Sequence, residues 1–539
     1  MHRLQKYWRL LCKEYAHLSE WAGFRLRFGF LAKAYESTPG GKRALFVSLT
    51  HHPVYALIEG MLLLALRMRG VQPVVLTYSS ARWSILTFKV FGIRNFLFFD
   101  ADLHAVATPD DDRKFDQLFS GKPTFKQLLD FSLDGCETGA HALSTVVRKL
   151  RTGGGELGDS KTLQTIRSAF LESLRASRAA AKLFARERFD HVLFHEKGYS
   201  PFGEIFDQSL KNGFDTVQYY FGQLPNSIVL KRYTIANRRE HPFSLSSVTW
   251  KAILQEPWNK LEEDAFRSDL KRSYEEGTWF GRKFLLKDKK LKAPDEVRAQ
   301  LHLDTTKKTA VIYSHILWDA TFFYGENLFD DYEQWLIETV KIACKNSAVN
   351  WIIKLHPDYV WKMKDMPPGT DPRDITALKD SIGALPPHVQ IVMPDIDITT
   401  YSFFAVTDYC ITVRGTIGIE APCFGIPVFT AGTGRYSGLG FTNDSQTKEE
   451  YLEKMMHIQD FPRLTPEQTS LGLCHAYTLF ERRLWRHTSF SIDRTKLKGG
   501  ALDHHVHINV QSPEELQHSE DLQKFSEWLL GSKDEDFLV

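Results

Sequence analysis

A short turn, Arg414-Gly415-Thr416, is the first place in this sequence where residue types and spacing suit a phosphate. Gly415 has no side chain, so the backbone can approach a ligand closely. Thr416 is a suitable N-cap for the helix predicted after it, and the free N–H groups at such a helix end favour an anion. Glu420 lies one helical turn further on, where its carboxylate could accept hydrogen bonds from sugar hydroxyls. The pattern predicts a site for the phosphate and ribose of a nucleotide-activated donor. The same pattern also occurs in ordinary capped helices that bind no ligand.

Three predicted strands in the second half of the chain end in polar or basic residues. These residues, together with those of the following turn, are Ser314, His315, His356, Pro357, Arg414, Gly415, Thr416, Gly418 and Glu420. The carboxyl ends of parallel strands meet at one edge of a sheet, so we expect these residues to form the donor site. His356 is also a candidate catalytic group, because it could stabilise charge on the leaving phosphate without a metal. Taken alone, His356 could equally be a capped or core histidine.

Glu196 is the first candidate for a catalytic carboxylate in the first half of the chain. It follows a predicted strand, His191–Phe194. A glycosyl transfer needs a base for the acceptor hydroxyl or a carboxylate that stabilises an oxocarbenium-like centre, and Glu196 could serve as either. The alternative is a structural ion pair with Lys197 or Arg232.

Further polar side chains near predicted strand ends of the first half could bind an acceptor or a sugar. They are His51, His52, Tyr199, Gln223, Arg232, Asn237 and Arg238. Some of these residues must be surface residues that bind no ligand, and His51 and His52 could be loop residues without a function.

The elements around these residues alternate between strand and helix, which specifies parallel sheets covered by helices. The predicted fold class is α/β, with two Rossmann-like doubly wound domains that face a central crevice and with helical additions at both ends. We expect a basic amphipathic helical extension over 1–42 and an acceptor-side domain with a helical insertion over 43–300. A nucleotide-donor domain over 306–470 and returning helices with an acidic tail over 471–539 complete the chain.

Composition excludes several classes of protein. The 539 residues are 43% hydrophobic and 25% charged with a net charge of +2, which gives no global reason to expect nucleic acid binding. The six cysteines lack CxxC spacing, which indicates a protein of a reducing compartment and argues against a zinc site.

Two further motifs are not expected to bind a ligand. Gly153-Gly154-Gly155 lacks the context of a P-loop, and Asp110-Asp111-Asp112 suits a solvated turn. We predict no cofactor and no metal, and favour a structural role for His504, His505 and His507.

The location of the protein follows from two segments. The first 43 residues are basic without a continuous apolar core, so they are no secretory signal, and Tyr55–Met68 is too short to span a bilayer. We therefore expect a cytoplasmic protein. Residues 1–38 carry aromatic and basic side chains at helical spacing. Such a helix could contact an anionic membrane surface from the inner face, or simply pack on the neighbouring domain.

Two longer motifs add a family resemblance. Lys354-Leu355-His356-Pro357, and Arg414 to Ala421 followed by Phe424-Gly425-Ile426-Pro427-Val428, resemble the capsule polysaccharide biosynthesis proteins, which are GT-B glycosyltransferases. That family includes transferases that use CMP-linked keto-sugar acids such as Kdo. The resemblance implies that His356-Pro357 contacts the nucleotide phosphate and that Thr416, Gly418 and Glu420 lie on the nucleotide-side helix. It covers 308–435 best, and the first half offers no secure match to a family nucleophile.

The resemblance implies a metal-independent GT-B glycosyltransferase that moves a sugar from a nucleotide-activated donor to a surface-polysaccharide or glycolipid acceptor. CDP-glycerol transferases share the HP-type strand end, but they usually carry Thr/Ser-Asp-Tyr-Ser-Ser where this chain has Thr407-Asp408-Tyr409-Cys410-Ile411, so this polyol-phosphate chemistry ranks second. A two-domain crevice would also suit a nucleotide-sugar epimerase, or a non-catalytic sugar- or nucleotide-binding component of a polysaccharide assembly complex.

Overall fold

Two parallel sheets organise the chain in the computed structural model. The structure describes residues 8, 17–33, 41–108, 113, 116, 119–121, 123–153, 160–276, 291–364, 366–367, 369–498 and 501–539. The strands are β1 Arg43–Val47, β2 Gln72–Thr77, β3 Asn95–Phe98, β4 His191–Phe194, β5 Asp215–Phe221, β6 Ser227–Tyr233, β7 Thr309–Tyr313, β8 Asn350–Lys354, β9 Val389–Val392, β10 Tyr409–Thr412, β11 Val428–Thr430, β12 Asn443–Asp444, β13 Trp485–Arg486, β14 Phe490–Lys498 and β15 Ala501–Ile508.

The first sheet has the order β13-β6-β5-β4-β1-β2-β3, and the second has the order β12-β11-β10-β7-β8-β9. The second sheet is parallel throughout, whereas β6 and β13 join the first one antiparallel. In each sheet the strand order reverses between two central strands, β1 and β4 in one and β7 and β10 in the other. Ligands of doubly wound sheets bind outside the carboxyl ends of strands at such a reversal.

Helices cover the sheets and connect the strands. The α-helices are Pro53–Arg67, Arg82–Val90, Phe99–Val106, Phe125–Leu129, Thr138–Leu150, Ser160–Arg186, Phe202–Lys211, Ser247–Ile253, Lys260–Glu275, Pro294–Gln300, Tyr332–Lys345, Tyr359–Lys362, Arg373–Ile382, Thr400–Phe404, Ile417–Glu420, Lys448–Met456, Pro466–Tyr477, Pro513–Gln517 and Glu520–Gly531. No helix in the described part of the chain has the length and apolar character needed to span a bilayer.

Each sheet carries a hydrophobic core on both faces, because successive side chains of a strand point to opposite sides. In β4, Leu193 joins the core that contains helix Pro53–Arg67, while Val192 and Phe194 join the core beneath helix Ser160–Arg186. The second sheet is likewise enclosed by two clusters. The predicted fold class, α/β with two Rossmann-like doubly wound units, is confirmed.

The last part of the chain returns to the first sheet. β13 pairs with β6, and Asp536 forms an isolated bridge with Lys231 of the same strand. The carboxylate of Asp536 lies 3.2 Å from the Lys231 ammonium and 3.3 Å from the Arg483 guanidinium, and all three side chains are fully buried. This network fixes the C-terminal residues against the first unit.

Several predicted elements differ from the structure or lie outside its described residues. The segment predicted as returning helices contains the antiparallel pair β14–β15 and, after it, two helices that meet between Gln517 and Glu520. Asp110-Asp111-Asp112 and Gly154-Gly155 lie outside the described residues. Within the predicted N-terminal extension, residues 17–28 are helical, and Phe28 is buried in a core of the first unit.

Candidate functional site

A cavity of about 310 Å³ lies between the two α/β units. The loop after β6 forms one wall, and the loops after β7, β10 and β11 form the other. The lining residues are Ala236, Arg239, Glu240, His241, Ser244, Tyr324, Gly325, Glu326, Arg414, Thr433, Gly434, Arg435 and Ser437. The two walls are in direct contact. The Gly325 N–H donates to the Arg239 carbonyl at 2.8 Å, Arg239 Nη1 lies 2.7 Å from Glu326 Oε1, and the rings of His241 and Tyr324 have centroids 4.7 Å apart.

Arg414 is the most unusual side chain of the cavity. It directly follows β10, as predicted, and is only 7% exposed. Its Nη2 donates to the Glu326 carbonyl at 3.0 Å and to the side-chain oxygen of Asn327. Its Nε and Nη1 are buried and have no hydrogen-bond partner among the described residues. Buried donors of a charged group are rarely left unpaired, because each costs free energy, so these two atoms mark a position for an anion.

Arg435 adds a second guanidinium to the same wall. It follows β11 and is half-buried, and burial lowers its pKa. Its Nη2 donates to the Arg414 carbonyl at 2.8 Å. Burial also raises the pKa of nearby Glu420 to about 8, although the charge of Arg435 opposes this shift. Glu420 is therefore mostly neutral at pH 7 and does not compensate the charge of Arg435.

The carboxylates of the cavity are already engaged by other cations. Glu326 pairs with Arg239, and Glu240 lies 2.9 Å from the Lys231 ammonium. His241 is neutral, because burial, followed by the charges of Arg435 and other cations, lowers its pKa well below the usual value. The remaining charge on Arg414 and Arg435 makes this cavity suited to an anionic ligand.

The strand ends of the second sheet converge next to this cavity. His315 stacks on Tyr332 with ring centroids 4.4 Å apart, and its Nε2 accepts the Val413 N–H at 3.2 Å. Burial, and then the charges of His356 and Arg414, lower the pKa of His315 well below its usual value. The structure thus brings His315, His356 and Arg414 together as the sequence predicts, with a neutral His315 joining the ends of β7 and β10.

His356 and its neighbours form a turn at the end of β8. The His356 N–H donates to Ser314 Oγ at 3.2 Å, and His356 Nδ1 accepts the Asp358 N–H at 3.2 Å. Pro357 lies between these two residues and is half-buried. Ser314, His356 and Pro357 therefore occupy the same sheet edge as Arg414.

The short helix after Arg414 differs from the prediction. It spans one turn, Ile417–Glu420, and continues as a 3-10 helix over Ala421–Phe424. Thr416 itself has helical angles and makes no side-chain cap, so its predicted role as an N-cap is wrong. Glu420 is 4% exposed, because the face of the helix that carries it is enclosed by the core of the second unit.

Tyr436 packs against the turn that contains Gly415 and Gly418. Its hydroxyl donates to the Gly415 carbonyl at 3.0 Å, and the Gly415 N–H donates to Thr412 Oγ1 at 3.2 Å. A Cβ at Gly418 would overlap the ring of Tyr436. Close packing against this ring therefore requires Gly418.

Glu196 lies at the end of β4 on the facing unit. Its Oε1 accepts the N–H groups of Lys197 at 2.7 Å and Gly198 at 2.9 Å. The next residue, Lys197, approaches the cavity wall, because its Nζ lies 5.2 Å from the centre of the Tyr324 ring. Neither predicted ion pair is found, since Lys197 donates to the Arg238 carbonyl and Arg232 pairs with Asp215 at 2.6 Å.

The other acceptor-side candidates do not come together. Gln223 is fully buried and donates to the Phe480 carbonyl at 2.8 Å. Arg232 and Asn237 contact the last residues of the chain through Asp534 and Glu535. Arg238 instead pairs with Glu137 at 2.6 Å. These four side chains connect elements of the first unit with each other and with the returning segment.

Three of the acceptor-side candidates remain near the crevice. His51 and His52 are exposed after β1, where His51 stacks on Tyr78 with centroids 6.0 Å apart. Tyr199 is buried, and its hydroxyl donates to Asp319 Oδ1 of the second unit at 2.9 Å. Tyr199 thus joins the two units, while the two histidines face solvent.

Among the residues of the cavity wall that the sequence prediction missed are Arg239, Tyr324 and Arg435. A signal existed for Arg435, because it follows an apolar strand by five residues, much as Arg414 follows the neighbouring one. No comparable signal marks Tyr324, which lies in the long loop after β7.

No family model matches the sequence, and no curated protein matches it. Solved structures give distant matches. The beta Kdo 2,4 transferase KpsC of Thermosulfurimonas dismutans is 12% identical, with 53% of this chain and 79% of that chain covered and a TM-score of 0.32. The UDP-GlcNAc 2-epimerase of Neisseria meningitidis, bound to UDP-GlcNAc, is 10% identical over 80% and 97%, with a TM-score of 0.25. Anabaena Alr3699/HepE, in complex with UDP and glucose, is 13% identical over 82% and 95%, with a TM-score of 0.27. These values are too low to assign a family or an activity to the chain.

Proposed function

We propose that the protein is a glycosyltransferase that moves a sugar from a nucleotide-activated donor to a surface-polysaccharide or glycolipid acceptor. The observation that carries this proposal is Arg414, whose Nε and Nη1 are buried without partners among the described residues in the wall of the cavity between the units. A buried guanidinium with unpaired donors favours an anionic acceptor such as a phosphate oxygen.

The donor would bind against the second unit. Its phosphate would lie on Arg414, and the convergence of Ser314, His315, His356 and Pro357 at the same strand ends would form the nucleotide side. Arg435 is half-buried beside Arg414 and contacts no carboxylate within ion-pair distance among the described residues. A second guanidinium suits a carboxylate on the sugar, so a CMP-linked keto-sugar acid is the first donor to test.

Chemistry would take place where Glu196 approaches this cavity. As the bond to the leaving phosphate breaks, Arg414 and His356 would stabilise the negative charge that develops, which is transition-state stabilisation by preorganised groups and requires no metal. Glu196 would face the anomeric centre or the acceptor from the first unit. Closure of the two units would exclude water, which strengthens these interactions and limits hydrolysis of the donor.

A panel of CMP-, UDP-, GDP- and CDP-linked sugars tests the proposal. The full-length protein is incubated with each donor, with and without a mixture of oligosaccharide and glycolipid acceptors, and released nucleotide and new glycosidic products are measured. We expect release of nucleotide from one donor class, accelerated by acceptor, with a new product. Conversion of the sugar without acceptor would instead identify an epimerase, and transfer of a polyol phosphate would identify a CDP-glycerol-type enzyme. Tight nucleotide binding without turnover would identify a binding component.

A further inference from the structure

Helix Pro53–Arg67 buries a carboxyl group that the proposed donor site does not use. Glu59 is 0% exposed, and neither of its carboxyl oxygens has a hydrogen bond that meets ordinary geometry among the described residues. Its neighbour His195 is an ionisable group, and His195 Nδ1 lies 3.4 Å from Glu59 Oε1. A carboxyl group enclosed in an apolar core is costly unless it is paired, so this contact needs an explanation.

The pair lies at the reversal of strand order in the first sheet. His195 directly follows β4, and Glu59 belongs to the helix that follows β1. This edge is where doubly wound sheets place ligands. The loop that continues from His195 contacts the second unit, since Gly198 packs against Phe323 and Tyr199 bonds to Asp319. His195 therefore belongs to the face of the first unit that is turned toward the second.

The orientation of the imidazole leaves one nitrogen available. Nδ1 is buried toward Glu59, so Nε2 points away from the carboxyl group, and the side chain is 17% exposed. The ring is held by Tyr55, with centroids 5.1 Å apart, and by an edge contact with Phe202 at 5.0 Å. A carboxylate behind Nδ1 and an accessible Nε2 form the arrangement that lets histidine accept a proton.

Several titratable groups face the pair of Glu59 and His195. Burial raises the pKa of Glu59, and His195 and the Ser48 hydroxyl oppose that shift. Tyr219 also faces the pair, but burial and the charge of Glu59 raise its pKa well above the usual value, so it stays neutral. Tyr55 and Glu196 are the other titratable neighbours, from the helix and from the residue after His195.

We propose that His195, oriented by Glu59, is the base that deprotonates the acceptor hydroxyl, an inference that rests on the proposed glycosyl transfer. Nε2 takes the hydroxyl proton while the acceptor oxygen forms a bond to the anomeric carbon. The bond from that carbon to the donor phosphate oxygen breaks, and the phosphate leaves with the electron pair. The imidazolium is then stabilised by the Glu59 carboxylate and returns its proton to water.

This assignment separates the roles of His195 and Glu196. Oε1 of Glu196 already accepts two backbone hydrogen bonds, which hold this carboxylate in one orientation. Glu196 is better suited to stabilise positive charge at the anomeric centre. Direct displacement with a base on the acceptor predicts inversion of the anomeric configuration.

His195→Asn, Glu59→Gln and the control His104→Asn test the proposal in the full-length chain. His104 is an exposed residue of helix Phe99–Val106. With the donor identified by the panel, we expect acceptor-dependent kcat to fall by about 100-fold or more in His195→Asn, the usual scale for loss of a general base. Glu59→Gln should lose roughly 10-fold or more, because its carboxylate orients the ring and stabilises the imidazolium. The dissociation constant of CMP or UDP should stay within about 3-fold in both, since neither residue contacts donor.

The pH profile separates catalysis from a structural role. The parent should lose activity at low pH as the imidazole becomes protonated. Glu59→Gln should move that loss to lower pH, because the imidazolium loses its anion, and His195→Asn should abolish it. A thiol analogue of the acceptor, which ionises more easily, should recover part of the His195→Asn rate.

The outcomes distinguish this inference from the proposed function. Turnover of a donor by the parent with an undiminished rate in His195→Asn would overturn the role of His195 and leave the glycosyltransferase proposal intact. Absence of turnover with every donor would overturn both. If His195→Asn does not fold, as judged by circular dichroism and nucleotide binding, the pH profile of Glu59→Gln decides. An unshifted profile there would refute the pair.

Discussion

Replacement of Arg414 by methionine should separate ligand binding from stability. A methionine fills much of the same space without charge. Each charge-assisted hydrogen bond from Arg414 to a donor phosphate contributes about 1.5–3 kcal/mol. Its unpartnered donors, Nε and Nη1, do not share an edge of the guanidinium, so one phosphate would gain one such bond. The variant should therefore weaken binding of the donor nucleotide by about 1.5–3 kcal/mol, which is roughly 10- to 10²-fold in Kd.

The same substitution should change stability little, because two effects oppose each other. The variant loses the bonds from Nη2 to the Glu326 carbonyl and the Asn327 side chain, at a cost of about 3–6 kcal/mol. It also removes two buried donors without partners, each of which costs about 1–3 kcal/mol in the parent. The difference lies within about 2 kcal/mol of zero in most combinations. If the role of Arg414 were purely structural, the substitution would lower the free energy of unfolding by about 3–5 kcal/mol, because the partners of Arg414 would be left unpaired.

Calorimetric titration with CMP and UDP measures binding, and thermal unfolding of the ligand-free protein measures stability. Arg94→Met is a matched control, because Arg94 is exposed in the turn before β3. The control should keep both nucleotide affinity and thermal midpoint. Unchanged affinity in Arg414→Met would refute the cavity as the phosphate site. Unfolding of Arg414→Met would show that the bonds Arg414 makes within the protein contribute more free energy than its two unpaired donors cost.

Three further substitutions test other parts of the structure. Glu196→Gln should lower acceptor-dependent kcat by about 100-fold or more without weakening nucleotide binding, and a rate within a few-fold of the parent would remove its proposed role. Gly418→Ala should cost about 1–3 kcal/mol by displacing the Tyr436 ring, as measured by thermal unfolding against Gly531→Ala, where a Cβ meets no neighbour within 4 Å. Burial opposes ionisation of Asp536, but the charges of Arg483 and Lys231 outweigh it and lower the pKa of this carboxyl to about 2. The ionised carboxylate contributes about 2 kcal/mol of stability, which is present above pH 4 and is lost as the pH falls toward 2. Hydrogen exchange should therefore show greater protection of β6 in the parent than in Asp536→Asn, and this difference should decrease from pH 6 to pH 3.

The sheet strands were predictable because their chemistry is local. His191–Phe194 has the predicted bounds, since a buried parallel strand is a short apolar run bounded by polar residues. β6, which was not predicted, contains Lys231 and Arg232, two charges that are unusual in a buried strand. They are stabilised there by Asp536 and Asp215, residues distant in sequence. Ion pairs between residues distant in sequence leave no periodic pattern. The sequence therefore indicated ligand-binding residues in a loop instead of a strand.

The same distinction explains the predicted acceptor residues. Arg232, Asn237 and Arg238 were assigned to a ligand because cations and amides after a strand end often bind one. Their partners are Asp215, Glu535 and Glu137. A sequence shows which side chains need partners, but it does not show which partners the fold supplies. Only the structure distinguishes these satisfied groups from Arg414, whose neighbours leave two donors unused.

The prediction for the turn after β10 failed in its detail for a related reason. Thr416 was expected to cap a helix and Glu420 to face a sugar, yet the helix has only one turn and Glu420 is enclosed. The tightness of this turn follows from Tyr436, which bonds to the Gly415 carbonyl and lies against Gly418. Tyr436 thereby fixes the backbone that follows Arg414, while the adjacent Arg435 enters the cavity beside it. Two consecutive residues after β11 thus position one guanidinium and contribute the other, so a shift of this segment should change both together. Displacement of Tyr436 by Gly418→Ala should then weaken nucleotide binding as well as stability, and a variant that is destabilised but binds nucleotide normally would show that the two arginines do not act as one site.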